Sequence, residues 1–240
     1  MTLKEDDKKV NSTTPIILAI ETAGLACSVC LARGENPIGQ KIESTAYQHS
    51  KILAPFVKEL LDEHQLQVGD LGGLIINKGP GSYTGLRVGF AFAKSLAFSC
   101  GIPMVGISGL EALAWQAAKN KKFDLCIPML DARRMEVYMA VYNHHLETLE
   151  DPRPLVLDES FFLRGDFTDR KVVLTGNGTA KLSAFNLPPN FEIYPGDPEA
   201  IHLLGPGIRA FREKNYENIR YFEPMYLKEA RITSSRKTLS

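Results

Sequence analysis

Two acids stand where buried-looking apolar runs stop. In PIILAIET the run from Pro15 ends on Glu21, and in LCIPMLDA the run from Leu125 ends on Asp131. A carboxylate at a strand end can face a metal-bound nucleotide when a glycine turn follows it, because only then do backbone amides approach phosphate. The first turn, ETAGLACS, supplies Thr22 and Gly24 behind Glu21 and is compatible with that chemistry. The second, DARRMEVY, places Ala132, Arg133 and Arg134 behind Asp131 and has no glycine, so half of a nucleotide clamp is missing. Gly176 and Gly178 of GNG could add a backbone contact near a base or ribose, or could simply turn a strand into a helix. ATP hydrolysis by the chain alone is disfavoured, and weak ATP or ADP binding is left open.

A glycine loop, GPGSYTG, carries Gly79, Gly81 and Gly85 ahead of an apolar helix pattern. It matches neither G-x-G-x-x-G nor G-x-x-x-x-G-K-[ST]. Ser82 or Thr84 can cap the helix, and an anion could sit at its start; a rigid strand-to-helix turn reads equally well. The histidines, His49, His64, His144, His145 and His202, include no i, i+4 pair that could hold a metal on one helix face. His49 beside Ser50 imitates a base and nucleophile, but a helix cap suits Ser50 better, and there is no G-x-S-x-G elbow. Cys27 and Cys30 form a C-x-x-C inside a strand pattern, where side chains three apart face opposite sides. With no second C-x-x-C, the four cysteines read as small unpaired residues of a cytoplasmic protein.

Lys plus Arg and Asp plus Glu are 28 each in 240 residues, so no surplus of positive charge favours RNA binding by the chain alone. The polar, charged opening MTLKEDDKKVNSTT is unlike a secretory signal, and no apolar run is long enough to cross a membrane. Between expected disordered tails at 1–14 and 231–240, the pattern strand-strand-strand-helix-strand-helix occurs twice. The first copy spans 15–106 and the second 107–230, with a linker near GIPMVGISGLEALAWQAAKNKK and a last helix that could return to the first lobe. The expected class is α/β: two actin-like (ASKHA, RNase H-like) lobes related by duplication, with mixed sheets flanked by helices. That superfold places acids at the ends of the first strand of each lobe, as Glu21 and Asp131 are.

Two helices of the first copy, Ser50–His64 and Thr84–Ser99, bring Ile52, Phe56 and Leu60 on one and Leu86, Gly89, Phe90, Ala93 and Ala97 on the other. In the second helix Gly85, Gly89, Ala93 and Ala97 recur every four residues as a smooth stripe, and nearly every other side is apolar. A helix apolar all round is buried on more than one side; here the expectation is burial against a partner.

GPGSYTGLRVGFAFAKSLAF, DARRMEVYMAVY, ILAIETAGLACSVCLA and PMYLKEA together resemble the TsaB family, formerly YeaZ, over most of residues 16–230. The resemblance implies an accessory subunit without catalytic residues or metal ligands. Its partner would be a TsaD-type subunit, which forms N6-threonylcarbamoyladenosine at position 37 of tRNAs reading ANN codons, with a TsaE-type ATPase joining. It further implies a heterodimer through the two helices of the first lobe, self-association when the partner is absent, and tRNA contact only within the complex. The helical pair of metal-binding histidines of TsaD has no counterpart in Ile107–Ala118. Tyr83 stands where the family has phenylalanine and Arg134 where it has glycine, both read as packing variations. The peptidase label once attached to the family finds no support in these residues. The competing reading is an independent ATP-dependent phosphotransferase or ATPase that uses Glu21 and Asp131.

Overall fold

The computed structural model describes residues 14–45 and 48–228; apart from Thr14, the expected tails lie outside the described residues. β1 (Ile16–Glu21) is IILAIE, buried at every position. Such a run of branched apolar residues suits a strand covered on both faces. β2 (Cys27–Arg33) and β3 (Asn36–Glu43) follow it as an antiparallel meander. β4 (Leu71–Gly79) pairs parallel with β1 on its other side, and β5 (Met104–Ser108) pairs parallel with β4. The order of this sheet is β3-β2-β1-β4-β5. The second sheet repeats it with β6 (Leu125–Asp131), β7 (Glu136–Asn143), β8 (Thr148–Val156), β9 (Val172–Thr175) and β10 (Phe191–Tyr194), in the order β8-β7-β6-β9-β10. The same directions recur at each pairing, which is the doubled plan expected from the sequence.

Among the described residues five α-helices cover the sheets. α1 (His49–Glu63) and α2 (Tyr83–Cys100) lie on one face of the first sheet. There Leu53, Val57, Leu60, Leu61, Leu86 and Phe90 join Leu18, Ile20, Leu74 and Ile76 in one core. α5 (Ala200–Arg212) returns from the second half to cover the opposite face, setting Leu203, Leu204 and Ile208 against Ile17, Ala19, Ile75 and Val105. Cys27 and Cys30 fall into these two separate cores, as alternation along a strand requires. α3 (Gly109–Asn120) packs Leu110, Leu113 and Ala117 onto Cys126, Leu130 and Val173 of the second sheet. The far face of that sheet is closed by α4 (Glu159–Phe162) and by Phe161, Phe162, Phe167, Phe185 and Phe191, whose rings meet 5.3 to 5.9 Å apart.

Three expectations are corrected. The stretch around 101–122 is no linker: it holds β5, the fifth strand of the first sheet, and α3. The helix expected after the last-but-one strand of the second copy is a 3-10 helix, Asn177–Ala184. α1 begins at His49 with Gln48 at its cap, so Ser50 is not the cap, and Pro55 lies in the second turn. Proline there removes a hydrogen bond of the helix, and its exposure leaves the freed carbonyl to water.

α2 carries the closest packing in the first lobe. Ser82 caps it by accepting from the Gly85 amide at 3.2 Å, and Gly101 ends it in the left-handed conformation at φ 65°. Its small-residue stripe is spent inside the lobe. A methyl group at Gly85 would strike the backbone carbonyl oxygen of Thr22, and one at Gly89 the Thr22 hydroxyl. In an open helix, Gly→Ala gains up to about 1 kcal/mol from propensity. At Gly85 the obstacle is backbone, so overpacking at about 1–3 kcal/mol outweighs that gain. Gly85→Ala is therefore expected to lower the unfolding free energy in urea titration, whereas Ser95→Ala on the exposed side of the same helix leaves it within about 0.5 kcal/mol.

Candidate functional site

Glu21 closes β1 and is fully buried. One carboxylate oxygen accepts from the amides of Ala23 at 2.6 Å and Gly24 at 3.3 Å, and the other accepts from the Asn77 amide group on β4. Asn77 in turn accepts from the Gly79 amide at 2.8 Å. Burial raises the Glu21 pKa to about 7, opposed by the Asn77, Ala23 and Gly24 hydrogen bonds. Every oxygen of this acid is thus turned into its own lobe, where it ties the end of β1 to the end of β4. Thr22 beside it is buried, and its hydroxyl, facing Gly89, has no hydrogen-bond partner.

The glycine loop is knitted to the same turn. The Ser82 amide donates to the Ala23 carbonyl at 2.7 Å, and Gly81 packs against that carbonyl. The amides of Gly79, Ser82, Gly85 and Leu86 are all engaged within the chain. Of the two readings of this loop, a rigid strand-to-helix turn accounts for these contacts.

Asp131 closes β6 in the second lobe and is half exposed. Lys181, from the 3-10 helix after β9, places its ammonium 2.6 Å from the Asp131 carboxylate and 2.6 Å from the Glu136 carbonyl. Partial burial works to raise the Asp131 pKa, but the Lys181 hydrogen bond and the Arg133 amide hold it below the usual aspartate value. A cation from the chain itself thus occupies one oxygen of this carboxylate. Gly176 and Gly178 press against the main chain of Met129, and Asn177 between them accepts from the Asp131 amide at 2.9 Å. Their closeness serves the packing of the 3-10 helix on β6.

The residues expected at a partner interface separate into two groups. Leu60, Leu86, Gly89, Phe90, Ala93 and Ala97 are buried against the core of the first lobe and contribute almost no surface to a partner. Ile52 and Phe56 are half-buried on α1. Sequence reasoning missed the residues that α2 turns outward: Ala91, Ser95 and Phe98 are exposed, and Val88, Phe92 and Leu96 half-buried. Phe98 is 83% exposed. The hydroxyls of Ser95 and Ser99 bond back to carbonyls one turn earlier, so the face offers little polarity to water. The signal was present in the spacing 88, 91, 92, 95, which the smooth stripe on the other side obscured.

The Glu21 pKa carries a testable sign. An acid with a folded-state value near 7 and an ordinary unfolded value is protonated without penalty below about pH 4.5. As pH rises from about 4.5 to 7 the unfolded chain gives up this proton while the folded one keeps it, and stability falls by on the order of 3 kcal/mol, the loss being complete above 7. Glu21→Gln removes this dependence. Its stability relative to the unsubstituted protein, followed by urea denaturation from pH 5 to pH 8, is expected to improve up to about pH 7 and to level off above it, whatever constant offset the amide introduces.

Comparison with known proteins agrees with this architecture. Residues 39–187 match the family model described as TsaD: tRNA N6-adenosine threonylcarbamoyltransferase. The tRNA threonylcarbamoyladenosine biosynthesis protein TsaB of Bacillus subtilis is 36% identical over 68% of this chain and 72% of its own length. The TsaB of Escherichia coli is 29% identical over 88% of this chain and 94% of its own. The solved structure of YeaZ from Pseudomonas aeruginosa superposes with a TM-score of 0.78 at 24% identity, covering 89% of this chain and 100% of that one. The two-lobed actin-like fold expected from the doubled element order is the fold observed. The chain belongs to the TsaB family, whose place is in the biosynthesis of threonylcarbamoyladenosine in tRNA, and which is related in fold to the transferase TsaD.

Proposed function

We propose that this chain is a non-catalytic partner and activator of a TsaD-type subunit, docking through the outward faces of α1 and α2, with a TsaE-type ATPase joining the assembly. The observation that carries the reading is the uncharged outer face of α2, from Val88 through Ala91, Phe92, Ser95 and Leu96 to Phe98. Phe98 alone would gain about 1.5–3 kcal/mol if a partner removed it from water. An exposed aliphatic and aromatic face of this kind marks an interaction surface.

The state of the two acids weighs against an independent ATPase or phosphotransferase. One is sealed in the core and the other is held by Lys181. Cys27, Cys30, Cys100 and Cys126 are all unpaired, in keeping with a reducing, cytoplasmic setting. Among the described residues no helix is long and apolar enough to cross a membrane.

Phe98→Asp is expected to leave the thermal unfolding midpoint unchanged, since the side chain is already in water. The same change should weaken association with a co-expressed TsaD-type subunit at least tenfold by calorimetric titration. A variant that binds with unaltered affinity would remove α2 from the interface. Full tRNA modification in a reconstituted reaction lacking this chain would remove the activating role.

A further inference from the structure

After α5 the chain runs back across the first lobe and then reaches the second. The Glu217 amide donates to the Met104 carbonyl of β5 at 2.8 Å, and the Met225 amide to the Lys78 carbonyl of β4 at 2.7 Å. Between those points the segment lies along the flank of α2 opposite Phe92, where Phe222 meets Phe90 at 4.8 Å and Tyr226 meets Tyr83 at 5.0 Å. The Lys228 ammonium then sits 2.5 Å from the Glu136 carboxylate and 3.3 Å from the Ala132 carbonyl, at the turn between β6 and β7. That turn presents Arg133 and Arg134, both exposed and both held at positive φ, 71° and 51°. From Tyr226 to Lys228 is about 7 Å of chain, so α2 and the arginine turn border one continuous surface.

Among the described residues Lys41, Lys121, Arg153, Arg164, Lys181, Arg209 and Arg212 meet carboxylates, whereas Arg33, Lys51, Lys78, Lys119, Lys122, Arg170 and Lys214 do not. Arg87, Lys94, Arg133, Arg134 and Arg220 on this surface also meet none, and what sets them apart is the company of exposed tyrosines. The two acids of the β6–β7 turn are already matched, Asp131 by Lys181 and Glu136 by Lys228. Exposed tyrosines alternate with these cations. The Arg87 guanidinium carbon lies 4.1 Å from the Tyr83 ring centroid, and that of Arg220 lies 5.4 Å from Tyr221. Tyr83 and Tyr226 are 39% and 41% exposed and Tyr221 70%. Between α2 and the return segment is a groove of about 280 Å³ floored by Phe90 and Phe222, with Arg87 and Lys94 on one wall and Tyr226 and one acid, Glu223, on the other.

We propose that this surface, from Arg220 and Lys94 through the Tyr83–Arg87–Tyr226 cluster to Arg133 and Arg134, is where the chain holds the tRNA. Unpaired cations supply the phosphate contacts that dominate affinity for nucleic acid. A guanidinium stacked on a tyrosine keeps its N–H edges free for phosphate, and exposed rings accept unpaired bases by stacking. Cations of α2, of the return segment and of the β6–β7 turn meet here without carboxylate partners, on the flank of α2 that adjoins Ala91 and Phe98. The inference rests on the role in tRNA modification shown by the family, and it gives the partner assembly a second substrate-binding face.

The test is a salt titration of tRNA affinity, using unmodified tRNA reading an ANN codon. It is run on the full chain bound to its TsaD-type subunit and in parallel on the full chain alone. Two double variants probe the surface from opposite ends, Arg87→Gln with Lys94→Gln, and Arg133→Gln with Arg134→Gln. Lys122→Gln with Lys214→Gln serves as the off-surface control. Each double variant is expected to bind more weakly and to flatten the slope of log K against log salt by about 1.5. Between 50 and 200 mM salt the unsubstituted chain should accordingly lose about tenfold more affinity than either variant. Arg87→Lys, which keeps the charge, should recover most of the slope. Because Arg133 and Arg134 support no packing, their variant reads the surface even if the Arg87 variant disturbs the return segment. Unchanged slopes in both variants with the subunits still associated would overturn this inference and leave the partner reading intact. Variants that lose the partner subunit while tRNA affinity holds would reassign the surface to a protein and overturn it too. Failure of the unsubstituted chain to associate would instead count against the partner reading, and the titration of the chain alone would still decide this one. No tRNA binding in either form would end it.

Discussion

The approach of α2 to the turn after β1 sets the geometry of the first lobe. Thr22 presents its carbonyl to Gly85 and its side chain to Gly89, and no residue larger than glycine fits either place. Seated there, α2 lays Leu86, Phe90, Ala93 and Ala97 into the core, and each large side chain so buried is worth about 1.5–3 kcal/mol. The rotation of the helix about its axis is fixed by the same contact. Once the glycine side points inward, Ala91, Ser95 and Phe98 point out, and Tyr83, Arg87 and Lys94 point to one flank. An apolar outer face and a cationic flank on one helix are both consequences of where two glycines had to go.

The acids that end the first strand of each lobe are both drawn into structural contacts. In the first lobe Glu21 is withdrawn from solvent and made a tie between β1 and β4 through Asn77. In the second, Asp131 stays near the surface, but Lys181 neutralises it and also holds the Glu136 carbonyl. The first route works through desolvation and the second through Coulomb attraction. In each case a carboxylate suited to a metal now fastens the strand end that carries it. The strand order required by the fold is undisturbed, since neither change touches the sheet registers.

Much of this was legible in the sequence. The doubled order of elements, the acids at the ends of β1 and β6 and the unpaired cysteines follow from apolar periodicity and from residue types whose positions are locally determined. The failures share a cause. Gly101–Lys122 reads as a linker because its glycine and proline punctuate it, yet β5 is held by pairing with β4, a contact that local pattern does not encode. The stripe Gly85, Gly89, Ala93, Ala97 does signal close approach of another backbone. Whether that backbone is Thr22 of the same chain or a second protein is decided by tertiary packing, and the sequence alone favoured the wrong one. The return segment was invisible for the same reason. Nothing in PMYLK announces that Met225 will bond to β4 and Lys228 to the far lobe.

Those two anchors have a consequence for how the chain could work within an assembly. The return segment is fastened to the first lobe by a backbone hydrogen bond at Met225 and to the second by the ion pair at Lys228, with only two residues between them. Any rotation of one lobe against the other must stretch that short span or break the Lys228 contact. Breaking a part-exposed ion pair costs at most about 1 kcal/mol, so the tie aligns the lobes without locking them. The cations of α2 and of the β6–β7 turn keep their spacing only while the lobes keep theirs, and a polyanion binding across both would strengthen the tie that presents it.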